Sequence, residues 1–248
     1  MFRPFLIALQ FLTVLPVRID GTPDAKTTGR SLLYYPLVGL LIGALLAAAV
    51  WMLGDAPPLL GAAVLLVVWV AVTGALHLDG LADSADAWLG GLGDRERTLA
   101  IMKDPYCGPA GVVTLVLALL LKFAALAYLV PNGDWEILVV TPVLGRTALV
   151  LLFLTTPYVR PHGLGSLLAN HLPRRTCIAM VIFTLAAVPL IVGSAAIGLL
   201  LAMAGLFLIL RRLMLQRLGG TTGDTAGALV ELAEACATVT VVVIGPYS

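Results

Sequence analysis

Long apolar stretches joined by short polar linkers are the feature that most limits what this chain can fold into. Hydrophobic residues make up 60% of its 248 positions and charged residues only 12%, whereas a water-soluble domain is about one quarter charged. A helix that crosses a membrane needs about 20 mainly apolar residues. The stretches that qualify are residues 31–53, 58–78, 109–130, 135–156, 176–193, 195–212 and 225–245. We therefore predict an all-α, polytopic membrane bundle of about seven transmembrane helices, forming one domain over residues 1–248.

Turn-forming residues mark most boundaries between these stretches. Ser31 is the predicted N-cap of the first span, and the glycine and prolines of 54–58 separate it from the second. Gly193-Ser194 is the only break between the fifth and sixth stretches, so these are predicted as two spans or as one broken helix. Residues 5–15 are too short to span and are expected to form an interfacial helix.

The basic residues test this topology, because lysine and arginine favour the cytoplasmic side of a membrane. Lys122 and Arg146 fall inside spans, and the other 13 of the 15 lysines and arginines lie in or beside the linkers on one side. The opposite linkers, including 246–248, contain none. We predict a membrane protein with its long linkers and its active site facing the cytoplasm. The net charge of +1 gives no reason to expect nucleic-acid binding.

An acidic run begins where the second stretch ends. On a helix, Asp79, Asp83 and Asp86 fall at positions i, i+4 and i+7 and share one face. Two bare carboxylates about 5–6 Å apart repel by roughly 3 kcal/mol at an effective dielectric near 20. A divalent cation among them would remove that cost, and oxygen ligands suit Mg²⁺. A solvated acidic helix start is the alternative, and for His77 a capping role competes with a catalytic one.

The linker after this run has a second anion-binding pattern. Lys103-Asp104 is followed by Gly108 and Gly111, and glycines let backbone N–H groups approach a phosphate. Lys103 could balance the phosphate charge. The alternative is an ordinary turn into the third span.

Charged residues inside the spans indicate a polar interior. Glu231 follows Asp224 by seven residues and lies two turns inside the last span, where a charge costs about 2.5–3.5 kcal/mol. Lys122 and Arg146 are also intramembrane. They are predicted either as counter-ions or as part of a pocket for a phosphate-bearing substrate, shared by spans two, three, four and seven.

These motifs resemble the cobalamin synthase family, also called adenosylcobinamide-GDP ribazoletransferase. The resemblance covers nearly the whole chain, and the acidic run is its most specific part. The matching segments are 11–17, 35–43, 77–86, 102–104, 108–112, 122–123, 145–146 and 222–232.

The resemblance implies a reaction in which a ribose hydroxyl of α-ribazole, or of its 5′-phosphate, attacks adenosylcobinamide-GDP and releases GMP, with Mg²⁺ as cofactor. Asp86 is the expected general base, by analogy with CDP-alcohol phosphotransferases, and His77 is a second catalytic candidate. The expected metal ligands are Asp79, Asp83, Asp86 and Asp224. The expected substrate-binding residues are Lys103, Asp104, Lys122, Arg146 and Glu231. Whether the chain forms a homo-oligomer is left open.

Two other functions fit parts of the pattern. A CDP-alcohol phosphotransferase would need Ala-Arg soon after the Asp-Gly pair, but Leu81-Ala82-Asp83 follows here. A cation-coupled transporter would place its charges near mid-membrane in repeated halves, whereas the acids here cluster at one surface and no repeat is evident. Release of GMP distinguishes the transferase from a transporter.

Overall fold

The computed structural model describes residues 2–244, and its regular elements in that range are helices. The α-helices are α1 (Phe2–Leu12), α2 (Ala25–Arg30), α3 (Tyr35–Leu53), α4 (Pro58–Thr73), α5 (Leu76–Gly90), α6 (Arg95–Ile101), α7 (Pro109–Asn132), α8 (Trp135–Thr155), α9 (Leu164–His171), α10 (Arg174–Val192), α11 (Ala196–Leu218) and α12 (Gly223–Ile244). The predicted all-α class is confirmed.

The protein is a multi-pass membrane protein with two helices at its centre. Within residues 2–244, five helical runs are long and apolar enough to cross a bilayer. Of the most apolar window of α8, 78% is buried, against 28% for α7, so α8 lies inside the bundle and α7 at its edge. Helix α12 is also largely buried and packs against α5, α7, α8 and α11.

The first run begins earlier than predicted. Helix α2 is capped by Asp24, whose carboxylate accepts a hydrogen bond from the Thr27 backbone N–H at 2.8 Å. A 3₁₀ turn over Ser31–Tyr34 then leads into α3. The prediction that Ser31 is an N-cap is wrong, because its hydroxyl lies inside the run and donates to the Thr28 carbonyl at 2.7 Å.

The second predicted span, 58–78, is broken. Helix α4 ends at Thr73, and Gly74 and Ala75 both adopt positive φ, at 62° and 56°. The axis of α5 therefore turns by 89° from that of α4. With 16 residues, α4 is about 24 Å long, shorter than the roughly 30 Å hydrocarbon core. We treat α5 as lying outside the spanning helices, and the count of seven spans stays a prediction.

Residues 174–218 fold back on themselves at Gly193. That 45-residue run would be about 67 Å long if straight. Gly193 has φ +65°. Arg174 at the start of α10 donates to the Leu154 carbonyl, and Arg211 near the end of α11 donates to the Thr155 carbonyl. Both ends of the run thus meet the end of α8, so α10 and α11 are two antiparallel helices, one of the two predicted alternatives.

Glycines of α3 set its distance from α8. A Cβ on Gly39 or Gly43 would lie 2.5 Å from the backbone of α8. This small-xxx-small pair lets the two backbones touch, which fixes one side of the central helix. Helix α1 has 11 residues and packs on this region; its interfacial position stays a prediction. The linker predicted at 246–248 lies outside the described residues.

Candidate active site at the basic end of the bundle

Helix α5 presents the predicted acidic face. Asp79, Asp83 and Asp86 all lie on this one helix, with Asp79 exposed and the other two partly buried. Gly80, on the same helix, lets α12 come close, since a Cβ there would lie 2.7 Å from the Asp224 carbonyl oxygen. The helix crossing therefore places the first turn of α12 beside the acidic face of α5.

Asp224 is held by an arginine that the sequence did not single out. The linker after α8 pairs with the linker before α12, where Val159 N–H donates to the Thr221 carbonyl and Thr221 N–H to the Pro157 carbonyl, at 2.9 and 2.8 Å. This pairing brings Arg160 to Asp224, with 2.6 Å between guanidinium and carboxylate. Arg160 looked like one of many linker cations, because only the fold places it at the acids.

The N-terminus of α12 is capped by Thr222 rather than by Asp224. The Thr222 hydroxyl accepts from the Thr225 backbone N–H at 3.2 Å, as an N-cap residue does. The carboxylate of Asp224 is therefore not used for capping. It faces Arg160 and the acids of α5 instead.

Asp86 binds the start of α7. One of its carboxylate oxygens accepts from the Gly108 backbone N–H at 2.7 Å and the other from the Gly111 N–H at 2.9 Å. A Cβ on either glycine would lie 2.5 Å from this carboxylate. The two glycines do expose N–H groups to an anion, as predicted, but that anion is the Asp86 side chain and not a phosphate.

Crowding of carboxylates affects Asp83 most. Partial burial, followed by the nearby charges of Asp79 and Asp224, raises the pKa of Asp83 to about 6. Arg160 offsets part of this effect. A raised pKa means that nearby positive charge does not fully stabilise the Asp83 carboxylate. A bound cation would supply that charge.

The donor set fits Mg²⁺ bound together with a phosphate. Within residues 2–244, no three histidine, cysteine, aspartate or glutamate side chains stand close enough to hold a metal on their own. Mg²⁺ usually takes one or two protein carboxylates and completes its shell with water and substrate phosphates. Asp79 and Asp83, one helical turn apart, provide two such carboxylates. The predicted metal ligands stay a prediction.

Lys103 and Asp104 lie in the exposed linker between α6 and α7. The Asp104 carboxylate accepts from the Tyr106 backbone N–H at 3.0 Å, which stabilises the turn into α7. The side chain of Lys103 is exposed. Their predicted contacts with substrate stay predictions.

The intramembrane charges pair with one another. Lys122 on α7 lies 2.6 Å from both Glu231 and Glu234 of α12, and Arg146 on α8 binds the other oxygen of Glu234. All four side chains are at least 95% buried. Lys122 also lies 4.6 Å from the ring centre of Trp69 on α4.

This network favours the counter-ion alternative for Lys122, Arg146 and Glu231. Two cations and two anions cancel, which lowers the cost of burying them. The expected shared polar interior is thus filled by side chains, and direct substrate contact by these residues stays a prediction. Glu234 was missed, although its spacing of three residues from Glu231 was a usable signal.

A cavity of about 240 Å³ lies between the acids and the N-terminal helix. His77, Asp79 and Asp224 contribute its polar lining, and aliphatic and aromatic residues supply the rest. His77 is 3% exposed, and neither of its ring nitrogens has a hydrogen-bond partner within residues 2–244. Buried polar groups without partners are rare, and both nitrogens are shielded from the cavity as well as from solvent.

With this geometry in place, comparison with known proteins assigns the chain. The family model described as cobalamin-5-phosphate synthase matches residues 4–242. The chain belongs to the cobalamin-5-phosphate synthase family. Its acidic mouth, with Asp79 and Asp224 at one cavity, is therefore the candidate active site of a member of this family.

Curated relatives agree with this assignment. The chain is 62% identical to an adenosylcobinamide-GDP ribazoletransferase of Pseudomonas putida (strain W619), over 93% of this chain and 95% of the relative. It is 60% identical to a protein of the same name from Pseudomonas entomophila, over 93% of this chain and 95% of the relative. It is also 60% identical to the one from Pseudomonas aeruginosa PAO1, over 94% of each chain. No solved structure matches. Membership in the cobalamin-5-phosphate synthase family confirms the resemblance seen in the acidic run and decides against the CDP-alcohol phosphotransferase and transporter alternatives.

Proposed function

We propose that this chain transfers the adenosylcobinamide-phosphate group of adenosylcobinamide-GDP to α-ribazole or its 5′-phosphate and releases GMP. In the reaction, a ribose hydroxyl oxygen forms a bond to the cobinamide-side phosphorus. The bond from that phosphorus to the bridging oxygen breaks, and GMP leaves with the electron pair. A carboxylate accepts the proton of the hydroxyl. The observation that carries the proposal is the convergence of Asp79 and Asp224 from two helices at one cavity, with Asp83 near enough for both charges to raise its pKa.

Asp79 and Asp83 are proposed to hold Mg²⁺ together with the diphosphate, with Asp224 beside them. When bound, Mg²⁺ supplies positive charge that neutralises the diphosphate as the bond to GMP breaks. Arg160, which pairs with Asp224, is proposed to bind the remaining phosphate oxygens, and Lys103 of the exposed linker between α6 and α7 is proposed to assist it. Asp86 stays the proposed base, because each of its oxygens keeps a second lone pair beside its bond from α7.

The proposed location is the inner membrane, with the acidic mouth facing the cytoplasm. Arg174 and Arg211 contact the end of α8, and Arg217 donates to the Trp88 carbonyl at the end of α5. Together with Arg160, these residues gather positive charge at the end of the bundle that carries the acids. The positive-inside rule puts that end in the cytoplasm.

Release of GMP tests the proposal. Purified protein in detergent, given Mg²⁺, adenosylcobinamide-GDP and α-ribazole, should release GMP and form the corrinoid product in equal amounts. Asp79→Asn and Asp83→Asn should each lower turnover at least 100-fold. Asp55→Asn, the same change in the turn between α3 and α4, is the matched control and should be as active as wild type. Absence of GMP from folded wild-type protein would reject the proposed function.

A further inference from the structure

A second cavity, the α10–α11 cleft, lies between α8, α10 and α11 and has a volume of about 430 Å³. It shares no lining residue with the cavity at the acids. Its lining is apolar except for Thr147, whose hydroxyl donates to the Val143 carbonyl at 2.7 Å. The cleft therefore has no free hydrogen-bond donor on its walls and suits a hydrocarbon ligand.

The helices around this cleft face the membrane. Of the most apolar window in the run that contains α10 and α11, only 17% is buried. Ala204 and Leu208 of α11 line the cleft and are also exposed, so the cleft opens sideways to the surroundings of the bundle. In a bilayer those surroundings are acyl chains. An empty cleft would leave its walls without dispersion contacts, which a chain entering from the bilayer supplies.

The width of the cleft separates an acyl chain from a helix of a second copy. Its wall on α11 runs from Leu200 to Leu208, which is about 12 Å along the helix axis. A volume of about 430 Å³ over that length gives a mean width of about 7 Å. A helix with its side chains is about 10–12 Å across, which is too wide. A single row of carbons, each about 3.5–4.0 Å from the atoms beside it, fits.

Unpaired positive charge lies at one end of the same helices. The residues are Arg174 and Arg175 at the start of α10 and Arg211 and Arg212 near the end of α11. Arg174 donates to the Leu154 carbonyl at 2.9 Å and Arg211 to the Thr155 carbonyl at 2.6 Å, so both guanidinium groups meet the last turn of α8. Each keeps further N–H donors. Within residues 2–244, none of the four arginines forms an ion pair with a carboxylate.

The arginines and the cleft adjoin along the chain. Leu151 lines the cleft one helical turn before Thr155, and Leu208 lines it one turn before Arg211 and Arg212. One turn is about 5 Å along a helix. A phosphate bound by the arginines thus has the entrance of the apolar cleft directly below it, as the headgroup of a phospholipid has its acyl chains.

We propose that the α10–α11 cleft holds one acyl chain of an anionic phospholipid whose phosphate binds these arginines. Arginine binds phosphate oxygens through paired N–H donors, and four uncompensated cations favour a lipid with net negative charge over a zwitterionic one. The bound chain fills the space between α8 and the α10–α11 hairpin and holds them together. This lipid site goes beyond the proposed transfer reaction and does not depend on it.

Thermal unfolding of the full-length protein in detergent, with added lipid, tests the inference. A ligand that binds only the folded state raises its stability. Phosphatidylglycerol at about 100 times its Kd should therefore raise the unfolding midpoint by about 5–11 °C. Phosphatidylcholine, which has no net charge, should raise it much less. Inorganic phosphate should have no effect, because it brings no chain to the cleft.

Variants at the two ends of the proposed site separate the headgroup from the chain. The double variant Arg175→Gln/Arg212→Gln, at two exposed positions, should weaken phosphatidylglycerol binding about fivefold for each arginine removed. Its matched control is Arg18→Gln/Arg97→Gln, the same change at exposed arginines of other segments, which should bind like wild type.

Ala204→Phe fills the cleft from its exposed side and should abolish stabilisation by the lipid. Ala186→Phe, the same change at an exposed alanine of α10 that does not line the cleft, is its control and should respond like wild type. The arginine and alanine variants change different parts of the site, so a folding defect in one leaves the other as the test.

Three results would overturn the inference. The first is equal stabilisation by phosphatidylglycerol and phosphatidylcholine, and the second is full stabilisation of Ala204→Phe by phosphatidylglycerol. The third is a dimer in light scattering that Ala204→Phe abolishes, because the cleft would then bind a second copy of the chain. Release of GMP by wild type tests the proposed function separately, and its absence would leave the lipid site untouched.

Discussion

Replacing Asp86 tests whether its carboxylate holds α7 in place, takes the proton from the acceptor, or does both. Its two oxygens accept hydrogen bonds from the backbone N–H groups of Gly108 and Gly111. Both groups belong to the start of α7, where backbone N–H groups have no partner within the helix. The anchor therefore joins α5, which carries the acids, to a helix of the bundle.

The structure gives a magnitude for losing this anchor. A hydrogen bond to a charged group contributes about 1.5–3 kcal/mol. In Asp86→Asn the amide oxygen keeps one bond while the NH₂ group faces the second N–H, so about 1.5–3 kcal/mol is lost. At about 2–4 °C per kcal/mol for a chain of this size, the midpoint of thermal unfolding should fall by roughly 3–12 °C. Asp86→Ala should lose about twice as much.

Scanning calorimetry or a thiol-reactive dye at a fixed scan rate, with protein in detergent, measures this shift. Asp55→Asn is the matched control and should unfold with wild type. Turnover is then measured well below the variant's midpoint, where the protein stays folded. A general base contributes about 100- to 10,000-fold, so a loss of that size in folded Asp86→Asn supports the base role. An unchanged unfolding midpoint would refute the anchor.

The remaining predictions concern the interior, the helix contacts and the metal. Glu234→Gln leaves Arg146 buried without its charged partner and should destabilise the protein by about 3–5 kcal/mol, seen as a lower unfolding midpoint, whereas Glu96→Gln on the exposed face of α6 should not. Gly39→Leu should separate α3 from α8, because even a Cβ would lie 2.5 Å from the α8 backbone; loss of folded protein in gel filtration checks this. Chelation of divalent ions should abolish GMP release, and added Mg²⁺ should restore it; full activity in EDTA would contradict the proposed metal.

Features that depend on local periodicity were predictable from the sequence. A run of about 20 apolar residues is helical in a membrane whatever its neighbours are, because the backbone has no other way to satisfy its hydrogen bonds. The shared face of Asp79, Asp83 and Asp86 follows from 3.6 residues per turn, and the family resemblance followed from the same run. These arguments need only residues that are close in the chain.

Local breaks were harder to predict. The break at Gly193 was weighed as one of two alternatives, and the φ of +65° decided it. At Gly74 no break was predicted, because apolar residues continue on both sides, yet the left-handed pair of Gly74 and Ala75 turns the chain. A hydropathy pattern indicates which residues are buried, but it does not indicate the direction of the backbone after each residue.

Partners distant in the chain were decided only by the tertiary structure. Arg160 meets Asp224 across 64 positions, and Arg146 meets Glu234 across 88. Nothing local distinguishes Arg160 from the other linker cations, and nothing local shows that Asp86 binds Gly108 and Gly111, which lie more than 20 residues away. Spacing along a helix determines which side chains share a face, whereas the packing of separate helices determines which charges that face meets.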